Sequence, residues 1–454
     1  MAYKSFNPYT LQEIAIYPEH SSEEVEFILS RSLVSYDGWK NYPLEKRLER
    51  VNQLADHLEE NYKHYAISIT QEMGKKIEEA NQEIIKCALL CRFYVKNSTE
   101  FLKSKSLQIG RDSVRIQYDP QGAVLGIMPW NYPFWQVFRF AIPNLVLGNT
   151  VLIKHASNVG GCANHIESIF ALSGFPKGVY QNVRVASSRV GELIRSSTVR
   201  GVSLTGSESA GRSVAEISGR YLKKTVLELG GSNAFIVLPD ASIRKAVKAA
   251  IQARLINSGQ SCISGKRFIV HKSLVSEFTK VLLDELSTLR LGDPLLSSTS
   301  LAPMARPDLV DELERQILLS IEQGAKCILR PIRKGCQISP AVLTKIKPGN
   351  VAFEEELFGP VFAICSYNTL DQAVEISNSS RFGLGATVFG RNKEHLEYFA
   401  DKLDEGSVFF NYPVRSNPAL PFGGVKNSGY GREMSIQGLL EFANIKSVFL
   451  GTKK

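Results

Sequence analysis

The stretch "INSGQSCISGKR", residues 256–267, sets Cys262 among small polar residues and glycines. Upstream, "RKAVKAAIQARL" has helical spacing; downstream, "RFIVH" reads as a strand. A thiol on such a turn can be a packed side chain, a metal ligand, a redox sensor or a nucleophile. As a nucleophile it needs help, because a free thiol titrates near about 8.5 and is mostly protonated at neutral pH. Two other positions suit that task. Glu228, in "LELGGSN", ends an apolar strand and is followed by two glycines. Burial there raises its pKa toward the working pH, which suits proton abstraction. Asn131, in "PWNYP", follows another strand. Its amide can donate to a developing oxyanion, together with the backbone N–H of the cysteine. Singly, each residue has an ordinary explanation: a buried thiol, a strand-end carboxylate, a helix-capping asparagine. Together, each on a small-residue turn, they favour covalent catalysis.

A second set could hold a phosphorylated ligand. Gly206 and Ser207 open the helix "SESAGRSVAEI". Its free N–H groups and positive dipole end suit a pyrophosphate. The GxGxxG signature is absent, and a plain capped helix explains the same residues. Lys154 ends the strand "TVLIK", as a solvated charge or as a contact to a ribose hydroxyl or phosphate. Three residues on stands Ser157, where a carboxylate would repel a 2′-phosphate; lysine plus serine tolerates one, so NADP is accepted.

These positions need elements to hold them. Residues 22–104 read as helices, with apolar residues three and four apart and "SSEE" as an opening cap. Cys87 and Cys91, one turn apart there, read as small core hydrophobes. "SVRIQYDPQGAVLGIMPW" alternates and turns at Asp-Pro-Gln-Gly, a hairpin-like ribbon. From about 123 to 238, short strands ("AVLGIM", "TVLIKHA", "GVSLTG", "TVLELGG", "NAFIVL") alternate with helices, the rhythm of a doubly wound, mainly parallel sheet. Such sheets bind ligands at the carboxyl ends of their strands, where the residues above lie. A second alternating stretch runs from about 240 to 425, and the tail "GLLEFANIKSVFLGTKK" ends in a strand expected to pair elsewhere, a partner subunit being one candidate.

Five motifs carry a family likeness: "PWNYP", "LELGGSN", "NSGQSCISGKR", "EEELFGPV" and "PFGGVKNSGYGRE". In this order, from about residue 4 to the C-terminus, the chain resembles the NAD(P)-dependent aldehyde dehydrogenases. Within them it is most similar to short bacterial succinate-semialdehyde dehydrogenases, which read Lys-His-Ala where this chain has Lys154-His155-Ala156. The resemblance implies that the Cys262 thiolate attacks an aldehyde, that Asn131 and the Cys262 N–H hold the oxyanion of the thiohemiacetal, and that hydride leaves to give a thioester. Glu228 then activates the water that releases the acid. It implies that Glu356 binds the nicotinamide ribose, with Phe358 near that ring. Trp130, Lys154 and Ser157 line the adenosine side, and Gly206 and Ser207 the pyrophosphate. The implied fold is α/β: a Rossmann-like dinucleotide-binding domain (1–109 and 123–229), an α/β catalytic domain (230–425), and a bridging β-ribbon with the tail (110–122 and 426–454). The ribbon implies a homodimer or homotetramer. NADP is the expected cofactor, with NAD possible. One departure stands out: Ser264 replaces a second cysteine that many relatives carry, so no redox switch is available there.

For a four-carbon semialdehyde, Arg139 is the first candidate to meet the distant carboxylate. It lies about 12 Å beyond Asn131 by helix rise. Its alternatives are a structural ion pair or a solvent-facing charge. Arg415 is a second candidate, and Trp135 and Phe422 read as channel walls. Rival activities are oxidation of another small aldehyde (glutarate semialdehyde, lactaldehyde or an aliphatic one), thiol acyl transfer or hydrolysis without a nicotinamide, and a non-catalytic role.

Bulk properties narrow the field. With 454 residues, the chain exceeds one hydrophobic core and implies more than one domain. Its 7 cysteines show neither CxxC nor zinc spacing, so no disulfide framework or metal site is expected, and a reducing, cytoplasmic setting fits. The net charge of +9 is dispersed rather than blocked, arguing for attraction to anionic small molecules and against a nucleic-acid partner. No basic leader with an apolar run opens the chain, and no apolar run approaches a membrane span.

Overall fold

The computed structural model describes residues 3–451. A small antiparallel pair of strands, Tyr3–Phe6 and Glu13–Tyr17, precedes the helices Ser22–Lys40, Leu44–Met73 and Ile77–Phe101. Ser21 and Glu24 close a reciprocal capping box on the first of them, satisfying two otherwise orphaned N–H groups. The second stops at Gly74, whose φ of 77° ends the helix in the left-handed region. Cys87 and Cys91 are fully buried among Leu54, Leu58, Ile84 and Tyr94.

These helices cover a six-stranded sheet. Its order is Gly429–Tyr430, Lys224–Glu228, Val199–Thr205, Ala123–Ile127, Thr150–Lys154, Tyr180–Asn182. The five long-sequence strands run parallel; Gly429–Tyr430 alone is antiparallel. Both faces are covered, which is why the central strands are apolar without alternation. From Ala123–Ile127 the chain winds outward one way through Thr150–Lys154 and the other way through Val199–Thr205. That reversal is the topological switch point where open sheets leave a crevice. The register aligns the strand ends: Ile127 lies opposite Lys154 and Leu204, and Thr205 opposite Glu228. Asn131, Lys154, Gly206 and Glu228 therefore sit along one rim.

A second sheet has seven strands, ordered Lys326–Leu329, Ala341–Thr344, Val361–Tyr367, Gly265–His271, Asn233–Val237, Ala386–Phe389, Val408–Phe410. The strand Asn233–Val237, which the rhythm of the sequence attaches to the first sheet, pairs here between Gly265–His271 and Ala386–Phe389. The Gly230-Gly231 pair lets the chain cross: a Cβ at Gly230 would lie 2.4 Å from the Glu356 carboxylate.

A three-stranded antiparallel ribbon joins Lys105–Ile109, Asp112–Pro120 and Ala443–Leu450. The expected hairpin across Asp-Pro-Gln-Gly does not form. Asp112–Pro120 stays in the ribbon while Ala123–Ile127 enters the parallel sheet. Gly122, at φ 137°, turns the chain between them, and the Asn149 side-chain Oδ1 accepts the N–H groups of Gln121 and Gly122. A strand covered on two faces and a strand exposed on one cannot share a sheet face. The tail strand pairs within its own chain, Ala443 opposite Pro120 through Leu450 opposite Ser113. The ribbon begins at Lys105, ahead of residue 110, and Ser435–Leu440 is a helix against Trp135–Leu147 rather than part of the ribbon.

Candidate functional site

The helix Ile243–Leu255 runs into a tight turn, Ile256–Gly259, that leads to Cys262. Asn257, Ser258 and Gly259 have φ of 52°, 55° and 82°. Three successive left-handed residues, two of them not glycine, persist only when their surroundings over-determine them. Here they do. The Asn257 side chain donates to the carbonyls of Asn131 and Gln260 at 2.9 and 3.1 Å. Ser258 Oγ donates to Ala302 O at 2.8 Å. A Cβ at Gly259 would lie 2.5 Å from the backbone of Gly359, so only glycine fits against the "FGP" turn. Buried Arg254 ties the same region together, donating to Ser264 Oγ at 2.7 Å and Leu357 O at 2.6 Å.

Cys262 is half-buried at the end of this turn. Burial pushes its thiol up to about 11, against the lowering pull of Lys266 and Arg139. At neutral pH the resting thiol is protonated and needs a base. Asn131 Nδ2 donates one hydrogen to Gln260 O at 3.1 Å, which fixes the amide beside the nucleophile and leaves its second hydrogen to donate elsewhere. The Cys262 N–H has no acceptor among the described residues. Both donors are free to meet a developing oxyanion.

Glu228 ends its strand with 2% exposure, and neither carboxylate oxygen has a hydrogen-bond partner among the described residues. Burial, and then the Glu433 carboxylate, push its pKa well above the usual range; Arg139 and Arg432 oppose this. A Cβ at Gly423 would sit 2.9 Å from Glu228 Oε1, which gives the "PFGG" glycine its role of leaving room for the acid. Glu433 was not singled out by its sequence context. It is buried and ion-paired with Arg139.

That pair changes the reading of Arg139. Its guanidinium is buried, with Nη2 3.4 Å from Thr205 Oγ1 and the group 4.6 Å from the centre of the Phe422 ring. Helix rise gives it the reach to meet a substrate carboxylate, but its charge already answers a carboxylate of the protein. It still lines a cleft of about 660 Å³ that ends at Cys262. Trp135, Phe422, Arg415 and Lys86 share that wall. Arg415 is exposed over the Tyr412 ring. Lys86, from the helix Ile77–Phe101, lies 4.0 Å from the Trp135 ring centre and donates to Ser416 Oγ at 2.5 Å.

The residues expected to hold a dinucleotide lie along the rim. Lys154 is buried under Tyr3, with no hydrogen bond or ion pair among the described residues. Ser157 is exposed nearby in sequence, with no acid at that position. Ser207 caps the helix Glu208–Arg220 through Ala210 N–H, and a Cβ at Gly206 would meet nothing closer than 3.6 Å. The chain itself therefore does not demand glycine at 206, and an unanswered buried cation, a hydroxyl and a helix N-terminus suit a 2′-phosphorylated dinucleotide. Glu356 accepts from Gly231 N–H at 3.2 Å and pairs at 2.6 Å with Lys266, which also donates to the carbonyls of Ser261 and Cys262. Lys266, too, escaped the sequence reading. Trp130 packs edge-on against Phe358 at 5.8 Å, whereas Lys154 lies against the Tyr3 ring.

A thiol beside amide donors, a buried carboxylic acid and a rim of strand ends are the parts that an aldehyde-oxidising enzyme needs. The chain belongs to the aldehyde dehydrogenase family, whose model matches residues 1–448. It is 40% identical to a probable succinate-semialdehyde dehydrogenase [NADP(+)] of Synechocystis sp., covering 99% of this chain and 100% of that protein. It is 39% identical to the succinate semialdehyde dehydrogenase [NAD(P)+] Sad of Escherichia coli, over 98% of this chain and 97% of that one. The crystal structure of succinic semialdehyde dehydrogenase from Streptococcus pyogenes in complex with NADP+ has a TM-score of 0.97 at 34% identity, covering 99% of this chain and 100% of that chain. The protein is an oxidoreductase acting on a small aldehyde, and no helix among the described residues is long and apolar enough to cross a membrane.

Proposed function

We propose that this chain oxidises succinate semialdehyde to succinate with NADP+. One observation carries the reading: beside Glu78, Glu79 and Glu83, the cleft that ends at Cys262 holds two cations with no ion pair among the described residues, Lys86 and Arg415, which draw an anionic aldehyde toward the thiol. In the reaction, the Glu228 carboxylate takes the Cys262 thiol proton and passes it to solvent, Cys262 Sγ bonds to the aldehyde carbon as the carbonyl π bond opens, and the oxygen gains charge between Asn131 Nδ2 and the Cys262 N–H. Bound NADP+ would accept the hydride, and Cys262 then holds the acyl group as a thioester. Glu228, as carboxylate, takes a proton from water; the hydroxide carbon–oxygen bond forms and the carbon–sulfur bond breaks. Arg139 and Arg432 make the ionised acid accessible despite its burial. Lys266 holds the carbonyl of Cys262 and the Glu356 carboxylate in register. Around this site, the first sheet would serve as the dinucleotide-binding unit and the second as the catalytic unit. The ribbon, with Leu107, Ile109, Ile445 and Phe449 exposed, would join subunits. Seven free cysteines suit a reducing cytoplasm.

Steady-state kinetics with succinate semialdehyde, glutarate semialdehyde, lactaldehyde and butanal against both cofactors tests the reading. Succinate semialdehyde with NADP+ is expected to lead butanal by about ten-fold or more in kcat/KM. Parity with butanal would sink it. In the same assay Ser157→Glu is expected to lose about ten-fold or more with NADP+ while retaining NAD+, because the new carboxylate repels the 2′-phosphate.

Arg139→Met gives a second outcome. Breaking a buried pair leaves Glu433 uncompensated, at about 3–5 kcal/mol of stability, read as a lower Tm. Glu433 then pushes Glu228 further up, so succinate semialdehyde and butanal should lose rate together. Arg139→Met/Glu433→Gln should recover most of the Tm. A loss confined to the semialdehyde would instead make Arg139 a direct substrate contact.

A further inference from the structure

The cleft holds a cation that neither the reaction chemistry nor the fold requires. Lys86 is half-buried on the helix Ile77–Phe101, yet its only polar partner among the described residues is the Ser416 hydroxyl. Removing an ammonium from water is costly unless a carboxylate answers it. The nearby acids are engaged elsewhere. Glu83, one turn back on the same helix, is ion-paired with Lys75 and accepts the N–H groups of Phe134 and Trp135 at 2.9 and 3.0 Å. Glu79 pairs with Lys76 and accepts the Asn257 N–H. Arg139 is bound to Glu433, and Arg415 lies exposed over Tyr412. Lys86 is thus the inner cation of the cleft without an acid of its own.

We propose that Lys86, oriented by Ser416 and the Trp135 ring, takes the far carboxylate of the substrate; this rests on the succinate-semialdehyde reading. The spacing suits it. Helical bonding already runs from Tyr132, whose carbonyl accepts Gln136 N–H at 3.0 Å. Trp135 lies four residues past Asn131, about 6 Å along the axis, whereas Arg139 lies about 12 Å along it. A four-carbon chain holds its carboxyl carbon only about 4 Å from its aldehyde carbon, so a group above Trp135 meets it sooner. The ring face holds the ammonium by cation–π attraction while the hydroxyl leaves its other N–H groups pointing outward. Burial, then Arg139 and Arg415, push this ammonium down to about 8, against the raising pull of Cys87 and Glu83. Glu78 and Glu79 also line the cleft, and neither is bonded to Lys86.

The test compares wild type, Lys86→Met and Lys86→Arg on succinate semialdehyde and on butanal, which has the same length and no carboxylate. Lys86→Met is expected to raise KM for the semialdehyde by about ten-fold or more, the value of one charge-assisted contact. Butanal should lose far less, which also reports that the variant folds. Lys86→Arg should restore most of the semialdehyde KM. The wild-type KM for the semialdehyde should rise above pH about 8, as the ammonium loses its proton, with no such rise for butanal or for Lys86→Arg. Equal losses on both aldehydes, or a semialdehyde KM untouched by Lys86→Met, would overturn the assignment. A semialdehyde preference that survives Lys86→Met removes the lysine alone. A wild-type enzyme without that preference removes the substrate reading as well.

Discussion

Cys262→Ala is expected to lower aldehyde oxidation by about a million-fold, as removal of a nucleophile does in enzymes whose residues act as a unit. The size follows from the site. Among the described residues no other cysteine lines the cleft, and Cys87, Cys91, Cys162 and Cys365 are fully buried with thiols pushed far up. NADPH absorbance measures the loss, and mass spectrometry of wild type mixed with aldehyde and NADP+ should find a thioester at Cys262. The pH dependence has a definite sign. With the free-enzyme thiol near 11, the thiolate fraction grows about ten-fold per pH unit between 7 and 10. Alkylation of ligand-free enzyme by iodoacetamide should climb with that slope. A plateau below pH 9 would mean that the thiol is already ionised and needs no base. A Cys262→Ala variant with measurable turnover would remove covalent catalysis altogether.

Glu228→Gln is the second large effect. Glutamine matches the neutral carboxyl in shape, so the fold should stand, but it cannot accept a proton from water. Loss of a general base costs about a hundred- to ten-thousand-fold in kcat. The losses should fall most heavily on release: a slowed burst of one equivalent of NADPH per active site, because the thiol proton also loses its base, then near silence, with the acyl group retained on Cys262. In wild type the acid must be ionised to act, and burial with Glu433 raises its pKa, so kcat should rise with pH along a limb displaced upward from ordinary carboxylates. Glu228→Gln should lose that limb. A variant that turns over steadily at the parental rate would move the base elsewhere.

Cys262, Glu228 and Asn131 were legible because each stands on a short turn whose small residues are unusual for a capped or packed element. Lys154 and Ser207 were legible because strand ends and helix starts can be located from apolar runs. What stayed hidden was pairing at long range. Nothing around Glu433 tells that it meets Arg139, and nothing around Lys86, on an ordinary amphipathic helix, tells that it faces Trp135 and Ser416. The left-handed Asn257 and Ser258 escaped because neither residue type announces that conformation. The misplaced hairpin at Asp-Pro-Gln-Gly and the strand "NAFIVL" have one cause. Local pattern shows that a segment is extended and which faces it buries, but the sheet it joins depends on partners distant in the chain.

The strand order also sets a timetable. Gly429–Tyr430 borders Lys224–Glu228, with Gly429 opposite Glu228 itself, and Ala443–Leu450 completes the ribbon on Asp112–Pro120. Because synthesis delivers the chain from its N-terminus, these last pieces are still inside the ribosome while the nucleophile is already outside. A nascent polypeptide therefore carries its thiol for some time before the wall beside its acid exists, and messages broken anywhere upstream of codon 429 should yield products that lack that wall and oxidise nothing.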